Sequence, residues 1–330
     1  MRVIAIANQK GGCGKTTTAI NLSSSLESRG NRVLLVDCDP QAHATMGLNV
    51  NPAELERSMY DVLRPDDGFF MGLDRILVPI RDHFDLAPST ARLSAVEQEL
   101  SGADGRENRL WQAVDSLQRP YDYVIIDCPP SIGHLCFNSL RACEEAIIPI
   151  DLSLFSLRGV SKLMEIILLM KERLGHEIRA RALITMYDFR TRYARQVLER
   201  VKEEFGENLF STVIRYNIRL RETVDYGLPI GDFDKRAIGH QDYEALAEEV
   251  VGNGFAADDL AGGNGPKAED LLGSSEAFRE TLTREGITTR PFGETREFSS
   301  YMARTDLEDV SVLEATDSVF VPGGDDVEDL

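Results

Sequence analysis

From Arg2 to about Val251, short uninterrupted apolar runs alternate with longer stretches in which apolar residues return every three or four positions. The runs are Val3–Ala7, Arg32–Asp37, Phe84–Ala87, Tyr123–Asp127, Ala146–Ile150, Ala182–Met186 and Thr212–Ile214. A segment that is apolar throughout has no solvent face, so it predicts a strand covered on both sides. Helical spacing marks Thr16–Ser28, Arg92–Leu100, Leu110–Leu117, Leu157–Arg173 and Tyr193–Phe205. Buried strands separated by helices predict a doubly wound α/β domain with a mostly parallel sheet. Ligands of such a domain sit at the carboxyl ends of its strands.

The pattern stops near Val251. Gly252, Asn253 and Gly254, then Gly262 to Pro266, punctuate a linker, and beyond it only Ser275–Glu285 has helical spacing. Residues 252–330 hold 18 acidic and 6 basic side chains, so most of the net charge of −19 lies there. The chain therefore reads as one domain over residues 1–251 and an acidic, glycine-rich, mostly disordered extension over 252–330. That extension is either a solvating or docking tail, or an intramolecular competitor for basic surface.

No apolar run nears the ~18 residues needed to span a bilayer; the strongest, Met164–Met170, is interrupted by Glu165. The chain enters its first strand at Val3, which leaves no room for a signal peptide and sets the expectation of a cytoplasmic protein. Cys13, Cys38, Cys128, Cys136 and Cys143 form no C-x-x-C pair. They read as reduced packing residues.

The chemistry concentrates between the first strand and the first helix, in Lys10-Gly-Gly-Cys-Gly-Lys-Thr-Thr17. Strand, glycine-rich turn and helix start form a phosphate-binding loop. Gly11, Gly12 and Gly14 let the backbone approach a polyphosphate and aim its N–H groups inward, while the helix start adds partial positive charge. Lys15 reaches the outer phosphates and the Thr16 hydroxyl can ligate Mg²⁺. With Cys13 and Thr17, these residues are the candidate nucleotide contacts. Asp39 follows the second strand and Asp127 ends the strand Tyr123–Asp127; both are candidates for the Mg²⁺ environment, Asp127 through water.

The second lysine, Lys10, makes this loop resemble the deviant Walker A motif, K-G-G-x-G-K-S/T, of the ParA/MinD family of P-loop ATPases. Asp37-Cys-Asp-Pro-Gln41 resembles the family's first switch and Tyr123 to Pro130 its Walker B strand and second switch. The resemblance covers residues 1–250 and points to the ParA/Soj branch. It implies ATP and Mg²⁺ as cofactors, and Lys10 reaching the nucleotide of a second subunit. It also implies that Asp39 positions the attacking water, that intrinsic turnover is weak, and that a ParB-like or cargo-linked activator stimulates it. Val213 to Leu220 resembles a segment near the adenine, which makes Arg215 and Asn217 candidates, although Arg215 and Tyr216 replace the family's proline and arginine.

The same resemblance gives Arg190 and Arg219 a part in sequence-independent DNA binding by the ATP-bound homodimer. The bland alternative is an ion-paired helix face. The expected function is thus chromosome, plasmid or cargo partitioning in a cytoplasmic, nucleoid-associated protein that does not bind membrane. A MinD-like membrane-cycling ATPase is the alternative, but that reading needs a basic amphipathic C-terminal helix, and this C-terminus is acidic.

Overall fold

The computed structural model describes residues 1–65, 70–101, 103, 105–151 and 154–252. The extension from 253 onward, with the helix expected at Ser275–Glu285, lies outside the described residues. Eight strands form one sheet: β1 (Arg2–Ile6), β2 (Val33–Asp37), β3 (Val78–Arg81), β4 (Phe84–Ala87), β5 (Tyr123–Asp127), β6 (Glu145–Asp151), β7 (Arg179–Tyr187) and β8 (Leu209–Arg215). Their order is β3-β4-β2-β5-β1-β6-β7-β8, and every pairing is parallel except β3 with β4. The helices are α1 (Lys15–Ser28), α2 (His43–Met46), α3 (Met59–Leu63), α4 (Val96–Glu99), α5 (Arg109–Asp115) and α6 (His134–Ala142). They continue with α7 (Leu154–Leu174), α8 (Arg192–Phe205), α9 (Arg219–Tyr226), α10 (Ile230–Phe233) and α11 (Ile238–Gly252).

The seven expected strands are present, several longer by a few residues. The eighth, β3, was not expected. Its sequence is Val-Pro-Ile-Arg, it is partly exposed, and it lies at the sheet edge, where Pro79 is tolerated because an edge strand leaves some donors unpaired. Arg92–Leu100 is not one helix. A 3₁₀ stretch, Ala91–Ala95, in which the Ser94 hydroxyl donates to the Ala91 carbonyl at 2.7 Å, leads into the single turn α4.

β1, β2 and β5 are buried almost throughout because both faces of the sheet are covered. Ile4, Ile6, Val33, Leu35 and Ile125 pack in one cluster with Ala19, Leu22 and Leu26 of α1 and with Tyr243, Leu246 and Ala247 of α11. Alternation sends Val3, Ala5, Leu34, Val36, Val124 and Ile126 to the other face, where they are equally buried. The chain winds outward from β1 in one direction, returns through β5 and continues through β6 in the other. The crevice at the carboxyl end of β1 is the switch point where such folds place ligands.

A buried polar contact lies within this core: the Tyr243 hydroxyl is 3.2 Å from the Thr18 hydroxyl of α1, both buried. Removing it strands the Thr18 hydroxyl. Tyr243→Phe is expected to lower unfolding free energy by about 1–2 kcal/mol, read as a lower urea midpoint at unchanged slope.

Candidate active site at the carboxyl ends of the strands

The loop between β1 and α1 is held by three hydrogen bonds. The Asn8 side-chain amide donates to the Pro149 carbonyl at 2.7 Å, and its carbonyl oxygen accepts the Lys10 N–H at 3.1 Å. On the far side the Thr185 hydroxyl donates to the Cys13 carbonyl at 2.8 Å. Gly14, which starts α1, has φ of 93°, a conformation costly for any residue with a Cβ. Its carbonyl accepts the Thr18 N–H at 2.9 Å, and α1 begins with no side-chain cap. The first N–H groups of α1 therefore face the crevice as anion donors. Lys15, only 7% exposed, donates to the Lys10 carbonyl at 3.0 Å and lies across the loop. Thr16 and Thr17 follow on the first turn.

The aspartates gather beside it. Asp37 and Asp127 are register partners at the ends of β2 and β5, both completely buried. Asp37 accepts three hydrogen bonds: from Asp39 N–H at 3.1 Å, Thr45 N–H at 2.8 Å and the Thr45 hydroxyl at 2.7 Å. Burial outweighs these donors and pushes its carboxyl up to about 6. Neither oxygen of Asp127 has a hydrogen-bond partner of ordinary geometry. Burial first, then the Asp37 charge, raise its carboxyl well above the usual range, with the nearby Thr16 hydroxyl and Lys15 opposing them. A buried carboxylate without donors next to a threonine hydroxyl is the donor set of a hard divalent cation, so these residues fit Mg²⁺.

Asp39 is 7% exposed, and its Oδ1 accepts the Gln41 N–H at 2.9 Å, which makes it a turn cap as well as a site carboxylate. Its carbonyl accepts the Ser89 hydroxyl at 2.7 Å, and Ser89 N–H donates to the Thr45 hydroxyl at 2.9 Å. This ties the loop after β2 to the end of β4. Ala42 in that loop has φ of 54°, unusual for alanine and a local strain. After β5, the loop runs to α6, whose first N–H groups are taken by Glu97: His134 N–H donates to it at 2.7 Å and Leu135 N–H at 3.0 Å. A Cβ on Gly133 would fall 2.5 Å from that carboxylate.

Lys10 turns its ammonium to Asp151 at the end of β6. The structure thus brings Lys10, Gly11, Gly12, Cys13, Gly14, Lys15, Thr16, Thr17, Asp39 and Asp127 to one crevice. Arg215 and Asn217 lie at the end of β8, three strands from β1, and are engaged locally. Arg215 Nε donates to Asp242 of α11 at 2.9 Å, and Asn217 Oδ1 accepts the Arg219 N–H at 2.9 Å in a local turn leading into α9. Arg190 is 73% exposed and grips Asp188 through two bonds of 2.8 and 2.7 Å, which draws that carboxyl down to about 2. Arg219 pairs with Glu222 at 2.8 Å and lies 3.8 Å from Asp234. All five cysteines are buried and free.

Asn8, Asp37, Thr45, Thr185 and Asp151 were not singled out from the sequence. For Asn8, Asp37, Thr185 and Asp151 the one legible signal is a polar residue at or just past the carboxyl end of an apolar run; Thr45, in α2, carries none.

Residues 1–180 match a family model described as an AAA domain. The chain is 41% identical to the sporulation initiation inhibitor protein Soj of Bacillus subtilis over 77% of its own length and 99% of Soj's. It is 39% identical to the chromosome partitioning protein ParA of Myxococcus xanthus, over 76% of its length and 88% of that protein. The chain belongs to the ParA/Soj branch of the ParA/MinD ATPases. Among solved structures, one described as cobyrinic acid a,c-diamide synthase from Mycobacterium smegmatis, with bound ATP analogue and magnesium, is 32% identical. It superposes with a TM-score of 0.65 over 76% of this chain and 94% of that one.

A carboxyl whose folded pKa lies above its unfolded value favours folding at low pH and loses that contribution as pH rises through the folded value. For Asp37 the window runs from about 4 to about 6, and for Asp127 the sign is the same. Asp127→Asn is therefore expected to stabilise the metal-free protein at pH 7.5 by roughly 0.5–2 kcal/mol, with the gain shrinking toward pH 5. Urea denaturation in chelator at the two pH values reads it.

Proposed function

We propose that this chain is a partitioning ATPase that dimerises with ATP and binds duplex DNA without sequence preference in that state. A ParB-like or cargo-linked protein then stimulates hydrolysis and releases it. The observation that carries the catalytic part is Asp127: a buried, donor-free carboxylate beside the uncapped start of α1 and Lys15. That arrangement is unfavourable by itself and favourable around a cation-bound triphosphate. Thr16 and Asp127 would hold Mg²⁺, which supplies charge neutralisation on the phosphates. Lys15 and the N–H groups of residues 11–17 anchor the phosphates, and Asp39 orients the attacking water. Lys10 acts on the nucleotide of a second copy.

Partitioning follows the names of the sequence relatives, Soj and ParA, which are more similar to this chain than the synthase-named structure. Arg190 and Arg219 supply the DNA contact. Their carboxylate partners do not argue against it, because exposed ion pairs are worth about 0–1 kcal/mol and exchange readily for phosphate. Among the described residues no helix is long and apolar enough to cross a membrane. The 18 acids against 6 bases after residue 251 favour a cytoplasmic, nucleoid-associated protein over the MinD-like reading.

Two measurements test this. Lys15→Ala is expected to abolish nucleotide binding. Asp39→Ala should keep it, lower phosphate release by about a hundredfold or more, and persist as a dimer in sizing chromatography with ATP. An Asp39→Ala protein that stays monomeric at saturating ATP removes Asp39 from this role. For DNA, Arg190→Glu or Arg219→Glu should weaken binding to unrelated duplexes about equally and make its salt dependence shallower. Wild-type protein that ignores duplex DNA at low salt with ATP and Mg²⁺ overturns the DNA reading.

A further inference from the structure

We infer that Asp151 is a positioning residue that holds Lys10 within its own subunit until a triphosphate in a second copy draws it away, and so sets the ATP level at which the chain dimerises. The inference rests on the trans role of Lys10 proposed above. The Lys10 ammonium is ion-paired with Asp151 Oδ2, with the two side chains 24% and 19% exposed. The pair is thus shielded enough to matter and wet enough to open. The backbone is fixed independently of it. β6 lies beside β1, Asn8 bridges the Pro149 carbonyl and the Lys10 N–H, and Lys15 bonds the Lys10 carbonyl. The pair can therefore open by rotation about the four-carbon lysine stem, with the backbone of the phosphate loop held in place.

Within the monomer, Lys10 is paired with the carboxylate of Asp151. A second copy loaded with ATP offers a triphosphate of higher charge, whereas ADP lacks the outermost group. Asp151 thereby subtracts from every state in which Lys10 reaches across, and leaves monomer nucleotide affinity alone. A two-fold dimer opens two such pairs together, so their effect multiplies. At about threefold per partly exposed pair, the dimerisation constant changes roughly tenfold.

The test is sedimentation of the full chain with a non-hydrolysable ATP analogue and Mg²⁺, for wild type, Asp151→Asn, Asp151→Glu, Lys10→Ala and the Lys10→Ala/Asp151→Asn double variant. The urea midpoint of each variant serves as the folding control, and Asp151→Ser replaces Asp151→Asn if that variant misfolds. Asp151→Asn is expected to dimerise about tenfold more tightly, Asp151→Glu to return toward wild type, and the double variant to behave as Lys10→Ala. Asp151→Asn that dimerises as wild type does, or more weakly, overturns the inference while the trans role stands. Lys10→Ala that dimerises like wild type overturns the trans role and the inference with it.

Discussion

Parallel register places Asp37 and Asp127 side by side at the ends of β2 and β5, both out of water. Two neighbouring buried carboxylates repel each other and lose hydration, a cost of several kcal/mol unless donors or cations answer it. The fold answers only half. Thr45 and the Asp39 N–H satisfy Asp37, and this draws the loop after β2 into its shape and leaves Ala42 strained. Asp127 is answered only in part, by the nearby Thr16 hydroxyl and the Lys15 charge, with no hydrogen bond of ordinary geometry to either oxygen. The remaining deficit is positioned where Thr16, Lys15 and the start of α1 converge, so stability is withheld from the empty protein at the place where a ligand returns it.

The surrounding contacts make that deficit directional. Asn8 and Thr185 pin the phosphate loop to the ends of β6 and β7, on the side of the sheet away from β2 and β5. The crevice therefore has a fixed wall built on β6 and β7 and a wall on β2 and β5 whose charge balance depends on what is bound. The loops that follow β2 and β5 both leave from this second wall.

The sheet and the phosphate loop were legible in the sequence because both are local. Continuous apolar runs declare buried strands, and Lys10 to Thr17 are contiguous. β3 was not legible, since four residues with a proline at a sheet edge carry no period. Arg92–Leu100 has helical spacing, yet Ser94 tightens its first half and Glu97 is committed to a different helix. The site's supports were invisible for a different reason. Thr185 meets Cys13 across 172 positions and Asp151 meets Lys10 across 141, contacts that exist only through strand order. Arg215 shows the converse: a residue placed by segment resemblance whose guanidinium the fold gives to Asp242.

The cap on α6 has a mechanical consequence. Asp127 is fixed at one end of its loop by the parallel pairing of β5, and Gly133 at the other by the Glu97 carboxylate, which leaves no room for a Cβ. The loop is a bridge on two abutments, with Cys128, Pro129, Pro130, Ser131 and Ile132 as its span. Two of those five are prolines with restricted φ, so the span can tilt about its ends more easily than it can coil. A displacement at Asp127 is then passed to the start of α6 with little slack, and from there along a nine-residue helix to the surface.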